Sequence, residues 1–212
     1  MNLPKNIDPE KQVNELFPVF LKLNHLHTLL VGAGTVGLEK LVAIMRNSPK
    51  ARVTVVSEKV SADLRDFVSD YSTITVHQRT FAADDLNGVD VVVVATNNPD
   101  VNQQVRRESR SRRLLVNVAD KPELCDFYLG SVVQKGELKL GISTNGKSPT
   151  VAKRLKEVLN EALPDELEEV LESLHQIRNK LKGDFASKVQ KLNEITRILI
   201  DTESQELLNP DH

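Results

Sequence analysis

The segment Val31-Gly32-Ala33-Gly34-Thr35-Val36-Gly37 constrains this chain more than any other. An apolar run, Thr28-Leu29-Leu30-Val31, leads into it, and a helical pattern over 35–46 follows. Gly-x-Gly-x-x-Gly between a strand and a helix has a physical meaning. Gly32 permits the tight turn, Gly34 lets backbone approach a diphosphate, and Gly37 allows close packing of helix on strand. Free N–H groups at Thr35, Val36 and Gly37 then face an anion, which the helix dipole favours. A glycine-rich turn without a ligand has the same letters. The strand–loop–helix–strand setting favours a dinucleotide.

Strands and helices go on alternating. Residues 52–56, 73–77, 89–95 and 114–118 read as strands, the second strand carrying β-branched Val53, Thr54, Val55 and Val56. The 89–95 run is apolar almost throughout, as a strand covered on both faces requires. Leu64, Phe67 and Val68 give 61–70 a helical spacing, and Asn98-Pro99 caps and opens the next helix. This predicts an α/β chain with an open, Rossmann-like parallel sheet. Past Asp120 the pattern changes. Residues 127–134 and 137–143 read as two strands around Lys135-Gly136, a hairpin outside the parallel sheet. From Ser148-Pro149 onward the chain is helical. Its apolar stripes are Leu155, Val158, Leu159, Ala162 and Leu163, then Leu167, Val170, Leu171, Leu174 and Ile177 after Pro164. Gly183-Asp184 precedes a last stripe of Val189, Leu192, Ile195 and Leu199. The expected division is a cofactor-binding domain over 1–120, a small β dimerisation region over 121–147 and a helical C-terminal domain over 148–212. Hairpin edges left open by the missing crossover favour pairing across a two-fold axis, an isologous homodimer.

Composition narrows the partners. A net charge of −2, 4% aromatic residues and no Trp argue against nucleic acid. A single cysteine, Cys125, excludes an internal disulfide and a Cys-based zinc cage. No apolar run approaches the roughly 20 residues that span a bilayer, and residues 1–15 lack a signal-peptide pattern. The expectation is a cytoplasmic protein without membrane contact. His25, His27, His77, His175 and His212 show no ligand spacing, so no bound metal is expected.

Four further places bear on chemistry. Glu58, just past the second strand, is placed to accept from a ribose 2′-hydroxyl, which favours NAD; Lys59 beside it leaves a 2′-phosphate open. Asp120 follows the fifth strand, where open α/β sheets bind ligands, although an Asp before Lys121-Pro122 also forms turns. Arg106, Arg107, Arg110, Arg112 and Arg113 are either a solvated face or a carboxylate-binding cluster. Ser143, Thr144, Asn145, Gly146 and Lys147 lead into the Ser148-Pro149 helix start, where backbone donors converge on an anion; Ser148 caps that helix in either case.

Several motifs carry a resemblance. They are Leu16-Phe17-Pro18-Val19-Phe20-Leu21, Ala95-Thr96-Asn97 with Val101-Asn102, Asn117-Val118-Ala119-Asp120, and Ile142-Ser143-Thr144-Asn145-Gly146-Lys147-Ser148-Pro149. In this order the chain resembles, over roughly 14–200, the precorrin-2 dehydrogenase / sirohydrochlorin ferrochelatase family, the dehydrogenase module of siroheme synthase. It departs at Gly130, where the family has proline in Phe-x-x-Pro-Ser. It looks like the stand-alone form, ending before any methyltransferase domain. The resemblance implies oxidation of precorrin-2 to sirohydrochlorin with NAD⁺, and in some members insertion of Fe²⁺ to give siroheme. It implies Asp120 as catalytic residue, Thr96 and Asn97 in the cofactor site, a tetrapyrrole substrate at 143–147 and a homodimer. A nucleotide-sensing regulatory module shares the loop and sheet but needs neither Asp120 nor the Ser-Thr-x-Gly-x-Ser-Pro segment. A dehydrogenase of small hydroxy or amino acids wants a well-placed His or Lys, and none stands out.

Overall fold

The computed structural model describes residues 14–164, 167–180 and 185–196. Gly183-Asp184, Leu199, His212 and residues 1–13 of the N-terminal stretch lie outside the described residues. The chain divides into two compact units, with the division falling between Gly130 and Ser131 in the sequence.

The first unit is built on five parallel strands: β1 (His27–Ala33), β2 (Arg52–Val60), β3 (Ile74–His77), β4 (Val91–Val94) and β5 (Leu115–Val118). Their spatial order is β3-β2-β1-β4-β5. The order reverses between β1 and β4, and such a switch point opens a crevice at the C-terminal ends of the strands. The helices are α1 (Thr35–Asn47), α2 (Ala62–Val68) and α3 (Pro99–Ser111). Strand alternation sends Leu29, Val31, Val92, Val94, Val116 and Val118 into one core layer with Val105 of α3. Leu30, Val53, Val55 and Val93 enter the other, with Leu41, Ile44 and Met45 of α1 and Leu64 of α2. All four residues of β4 are buried, as its unbroken apolar run predicts. α3 starts as expected: Asn98 accepts from the N–H groups of Asp100 and Val101, and Pro99 needs no partner at the first turn.

The second unit carries β6 (Ser131–Lys135) and β7 (Leu138–Ile142), an antiparallel pair joined by Gly136-Glu137. Gly136 takes φ +54, the left-handed value that a two-residue hairpin turn asks of its first position. α4 (Pro149–Ala162), α5 (Leu167–Lys180) and α6 (Phe185–Thr196) follow. α4 packs on the hairpin, and Ala152 of α4 and Val133 of β6 are both buried. Its stripe is less covered than the sequence suggests: Leu155 and Val158 stay exposed, as does Val151.

Candidate active site

Val56, Val31, Val94 and Val118 form one row across β2, β1, β4 and β5. Just past that row lie Gly32, Ser57, Ala95 and Ala119. Thr96, Asn97 and Asp120 follow within two residues, so the sheet gathers these positions along a single edge.

The three glycines of the loop meet different surroundings. Gly32 sits at φ +106, and a Cβ there would run into the Ala95 carbonyl and lie 3.2 Å from Thr96 Cγ2. Gly37 is buried, and a Cβ there would strike the Gly32 carbonyl. Around Gly34 nothing stands within 4 Å of the missing side chain. Two glycines thus serve packing and the third leaves space beside bare backbone. α1 begins at Gly34 without a side-chain cap and without an acidic residue in its first turn. Its first helical bond, Leu38 N–H to the Gly34 carbonyl (2.9 Å), leaves the N–H groups of Thr35, Val36 and Gly37 ahead of it. An uncapped, uncharged helix start beside open backbone fits a diphosphate.

Glu58 and Lys59 reach this edge through a bulge. Pairing runs Val31 with Val56, then Ala33 with Val60, so Gly32 faces three residues of β2. The Ala33 N–H, deprived of a ladder partner, donates to Ser57 Oγ (3.2 Å), and that hydroxyl donates to the Lys59 carbonyl (2.8 Å). Gln78 Nε2 donates to the Glu58 carbonyl at 3.2 Å. Both charged side chains are exposed. β2 therefore runs on to Val60, four residues past its expected end, because the chain rejoins the ladder after the bulge.

Thr96 is fixed by a buried neighbour. Its Oγ1 lies 2.6 Å from Asn102 Oδ1, Asn102 Nδ2 donates to the Thr96 carbonyl (3.2 Å), and the Asn98 N–H donates to Thr96 Oγ1 (3.2 Å). Asn97 beside it is exposed.

Asp120 takes φ +57 and is exposed. It occupies the third position of a β-turn closed by the Lys121 N–H to the Val118 carbonyl (3.2 Å), where a left-handed residue is ordinarily Gly or Asn. A side chain in that region costs about 1–2 kcal/mol and persists only where its surroundings enforce it.

The enforcement comes from residues that the sequence reading passes over. Residues 124–127 return along the outer edge of β5 and satisfy it with side chains and main chain, the Asp126 N–H donating to the Val116 carbonyl (2.7 Å). The Val116 N–H donates to Asp126 Oδ2 (3.1 Å), the Val118 N–H donates to Cys125 Sγ (3.2 Å), and Asn117 Nδ2 donates to the Phe127 carbonyl (2.9 Å). Arg106 of α3 pairs with both oxygens of Asp126 and holds its carboxyl below the usual carboxylate range. Burial pushes the Cys125 thiol up. One arginine of the basic cluster is thus engaged in structure, and Arg112 pairs with Glu108 at 3.0 Å. No sequence signal links Cys125 or Asp126 to this edge beyond β5 being the last strand of its sheet.

Residues 143–147 belong to the second unit. Asn145 (φ +53) and Gly146 (φ +74) are both left-handed, the Ser148 N–H donates to Thr144 Oγ1 (3.2 Å), and Ser148 Oγ caps α4 by accepting from the Val151 N–H (3.2 Å). Ser143, Asn145, Gly146 and Lys147 are exposed and Thr144 is half-buried. His27 sits at the opposite edge of the sheet, its ring against the Gly88 carbonyl and Thr54 Oγ1. Among the described residues no group of three His, Cys, Asp or Glu is arranged to hold a metal, and no helix is long and apolar enough to cross a membrane.

Residues 19–131 match the NAD(P)-binding family model, and residues 135–161 the model of the sirohaem biosynthesis protein central region. Siroheme synthase of Nitrosomonas eutropha is 30% identical over 81% of this chain and 36% of its own length. That of Mannheimia succiniciproducens is 31% identical over 82% and 36%. The chain thus spans about a third of the length of the curated relatives it matches. Among solved structures, SirC, a precorrin-2 dehydrogenase, shares 27% identity at a TM-score of 0.69, covering 91% of this chain and 97% of that one.

Proposed function

Because the chain belongs to the siroheme-biosynthesis family of NAD(P)-binding proteins, we propose that it oxidises precorrin-2 to sirohydrochlorin with NAD⁺. The observation that carries this reading is Asp120, an exposed carboxylate in a left-handed turn past β5, on the same sheet edge as the glycine loop. When bound, NAD⁺ supplies the acceptor for the hydride that leaves the macrocycle. The N–H groups of Thr35, Val36 and Gly37 and the open backbone at Gly34 bind its diphosphate, with Gly32 holding the turn. Glu58 accepts from the adenosine ribose, the basis for NAD over NADP, and Lys59 stands beside it. Thr96 and Asn97 flank the crevice from β4. Asp120 takes the proton that balances the hydride. Ser143, Thr144, Asn145, Gly146 and Lys147 bind substrate carboxylates through backbone donors and the Lys147 ammonium. The cofactor function is assigned to 1–120, pairing of two copies to 121–147 and helical support to 148–212, in a cytoplasmic homodimer.

Insertion of Fe²⁺ into sirohydrochlorin draws on the same base, since pyrrole N–H protons leave as the metal substrate enters. A nucleotide sensor without catalysis has no use for a strained, exposed aspartate at the crevice, which favours the enzyme reading. The test is anaerobic turnover of precorrin-2 with NAD⁺, following NADH and the product spectrum. Asp120→Asn keeps the turn but cannot accept the proton, so the rate falls about 10²–10⁴-fold while NAD⁺ affinity stays level. A parental rate in that variant overturns the assignment.

A further inference from the structure

Among the described residues the Asp120 carboxylate has no hydrogen-bond or ion-pair partner, so its placement rests on its main chain. That main chain is the turn from Val118 to Lys121, and one side chain ties both ends of it. Cys125 Sγ lies 3.2 Å from the Val118 nitrogen, 3.2 Å from the Val118 carbonyl and 3.3 Å from the Lys121 carbonyl. The Val118 N–H donates to the sulfur, and the single thiol proton serves one of the two carbonyls at a time. The sulfur is half-buried and packs against the core layer of Leu29, Val92, Val94 and Val116, which fixes it to the sheet.

We propose that Cys125 is a positioning residue for Asp120: its thiol fastens the main chain on either side of the aspartate and so aims the carboxylate at the substrate. This inference rests on the reading of Asp120 as the proton acceptor. A nucleophilic or redox role suits the site poorly, because burial disfavours the thiolate that such chemistry needs. The same burial keeps the thiol protonated at neutral pH, the form that donates to the carbonyls. Positioning by a group outside the chemistry is worth a large factor, since a displacement of about 1 Å changes rates on the order of 10²-fold.

A double-mutant cycle on the full-length protein tests this. Cys125→Ala is expected to lower kcat for precorrin-2 oxidation about 10-fold or more with unchanged NAD⁺ affinity. Cys125→Ser, which can still donate and accept, recovers part of the loss. In an Asp120→Asn background, Cys125→Ala has no further effect on kcat, because there is no longer a base to aim. Should Cys125→Ala fail to fold, Cys125→Val fills the site without hydrogen bonding and carries the same cycle. A folded Ala or Val variant with parental kcat overturns the proposal. So does an equal fold-loss in the Asp120→Asn background, the mark of a purely structural cysteine. If Asp120→Asn itself turns over at the parental rate, the reading of Asp120 has failed, a result separate from either.

Discussion

Gly32 and Gly34 lie two residues apart, yet substituting each with alanine should fail in opposite ways. At Gly32 an added Cβ would meet the Ala95 carbonyl oxygen and stand 2.7 Å from its carbon, both backbone atoms of a neighbouring strand end. The φ of +106 adds strain of about 1–3 kcal/mol, and overpacking against rigid backbone adds about 1–3 kcal/mol. Gly32→Ala should therefore lose about 2–6 kcal/mol, a large share of the roughly 5–15 kcal/mol that holds a domain together. At about 3–5 °C per kcal/mol, Tm falls by roughly 6–30 °C. Gly34→Ala meets open space at φ −85, so its stability should stay within about 1 kcal/mol, with a small gain from a stiffer unfolded chain. Its methyl group occupies the approach to the uncapped helix start, and NAD⁺ should bind about 10–100-fold more weakly, a misfit of about 1–3 kcal/mol. Thermal unfolding and titration calorimetry on both variants read the two effects apart. A folded Gly34→Ala protein with parental NAD⁺ affinity, or a Gly32→Ala protein with parental Tm, refutes the reasoning.

Asp126→Ala removes the partner of Arg106 and of the Val116 N–H at once. With the pair only partly shielded from water, the loss should be about 2 kcal/mol by chemical denaturation. Because Arg106 lowers the folded-state pKa of Asp126, its stabilisation is full above about pH 4 and is lost as pH falls through the lowered value; Asp126→Asn should flatten that limb of the pH–stability curve. Asp120→Gly relieves about 1–2 kcal/mol of left-handed strain against about 0.5–1 kcal/mol of added chain entropy. The net gain of about 0–1.5 kcal/mol should come with loss of precorrin-2 turnover, and a stability loss instead would contradict the strain argument. Among the described residues β6 and β7 pair only with each other, and the Val151, Leu155 and Val158 face of α4 is exposed. Light scattering should give twice the chain mass, and Leu155→Glu should lower it; a monomer at micromolar concentration rejects the homodimer.

The sheet is legible in the sequence because it is written in β-branched runs, with glycine at the left-handed junction between β1 and α1. β4 is the clearest case, since a strand buried on both faces has no polar position to blur it. The bulge in β2 is not legible: Ser57-Glu58-Lys59 has the composition of a loop. What keeps it in the strand is a hydroxyl meeting the orphaned Ala33 N–H across 24 residues of chain. The hairpin likewise begins at Ser131 rather than 127, because Cys125, Asp126 and Phe127 serve the edge of β5. A segment that serves a strand edge by a mixture of side chains and main chain, without being a strand, leaves no periodicity to read. The basic cluster divides for the same reason, the partner of Arg106 lying 20 residues away in a segment with no element of its own. Among the site positions, the glycines declare themselves by type and Asp120 by its place after a strand, whereas the residue tying its turn carries no such mark.

The bulge in β2 also separates two kinds of inheritance. Glu58 and Lys59 are excused from the ladder that surrounds them: the bulge is held through the Ser57 hydroxyl and through main-chain carbonyls, while both charged side chains face solvent. Almost any pair of side chains can stand there without the sheet registering the change. If the proposed site is right, a lineage carrying this fold is free to redraw the ribose end of its cofactor site by substitution at two codons, leaving every strand pairing as it was.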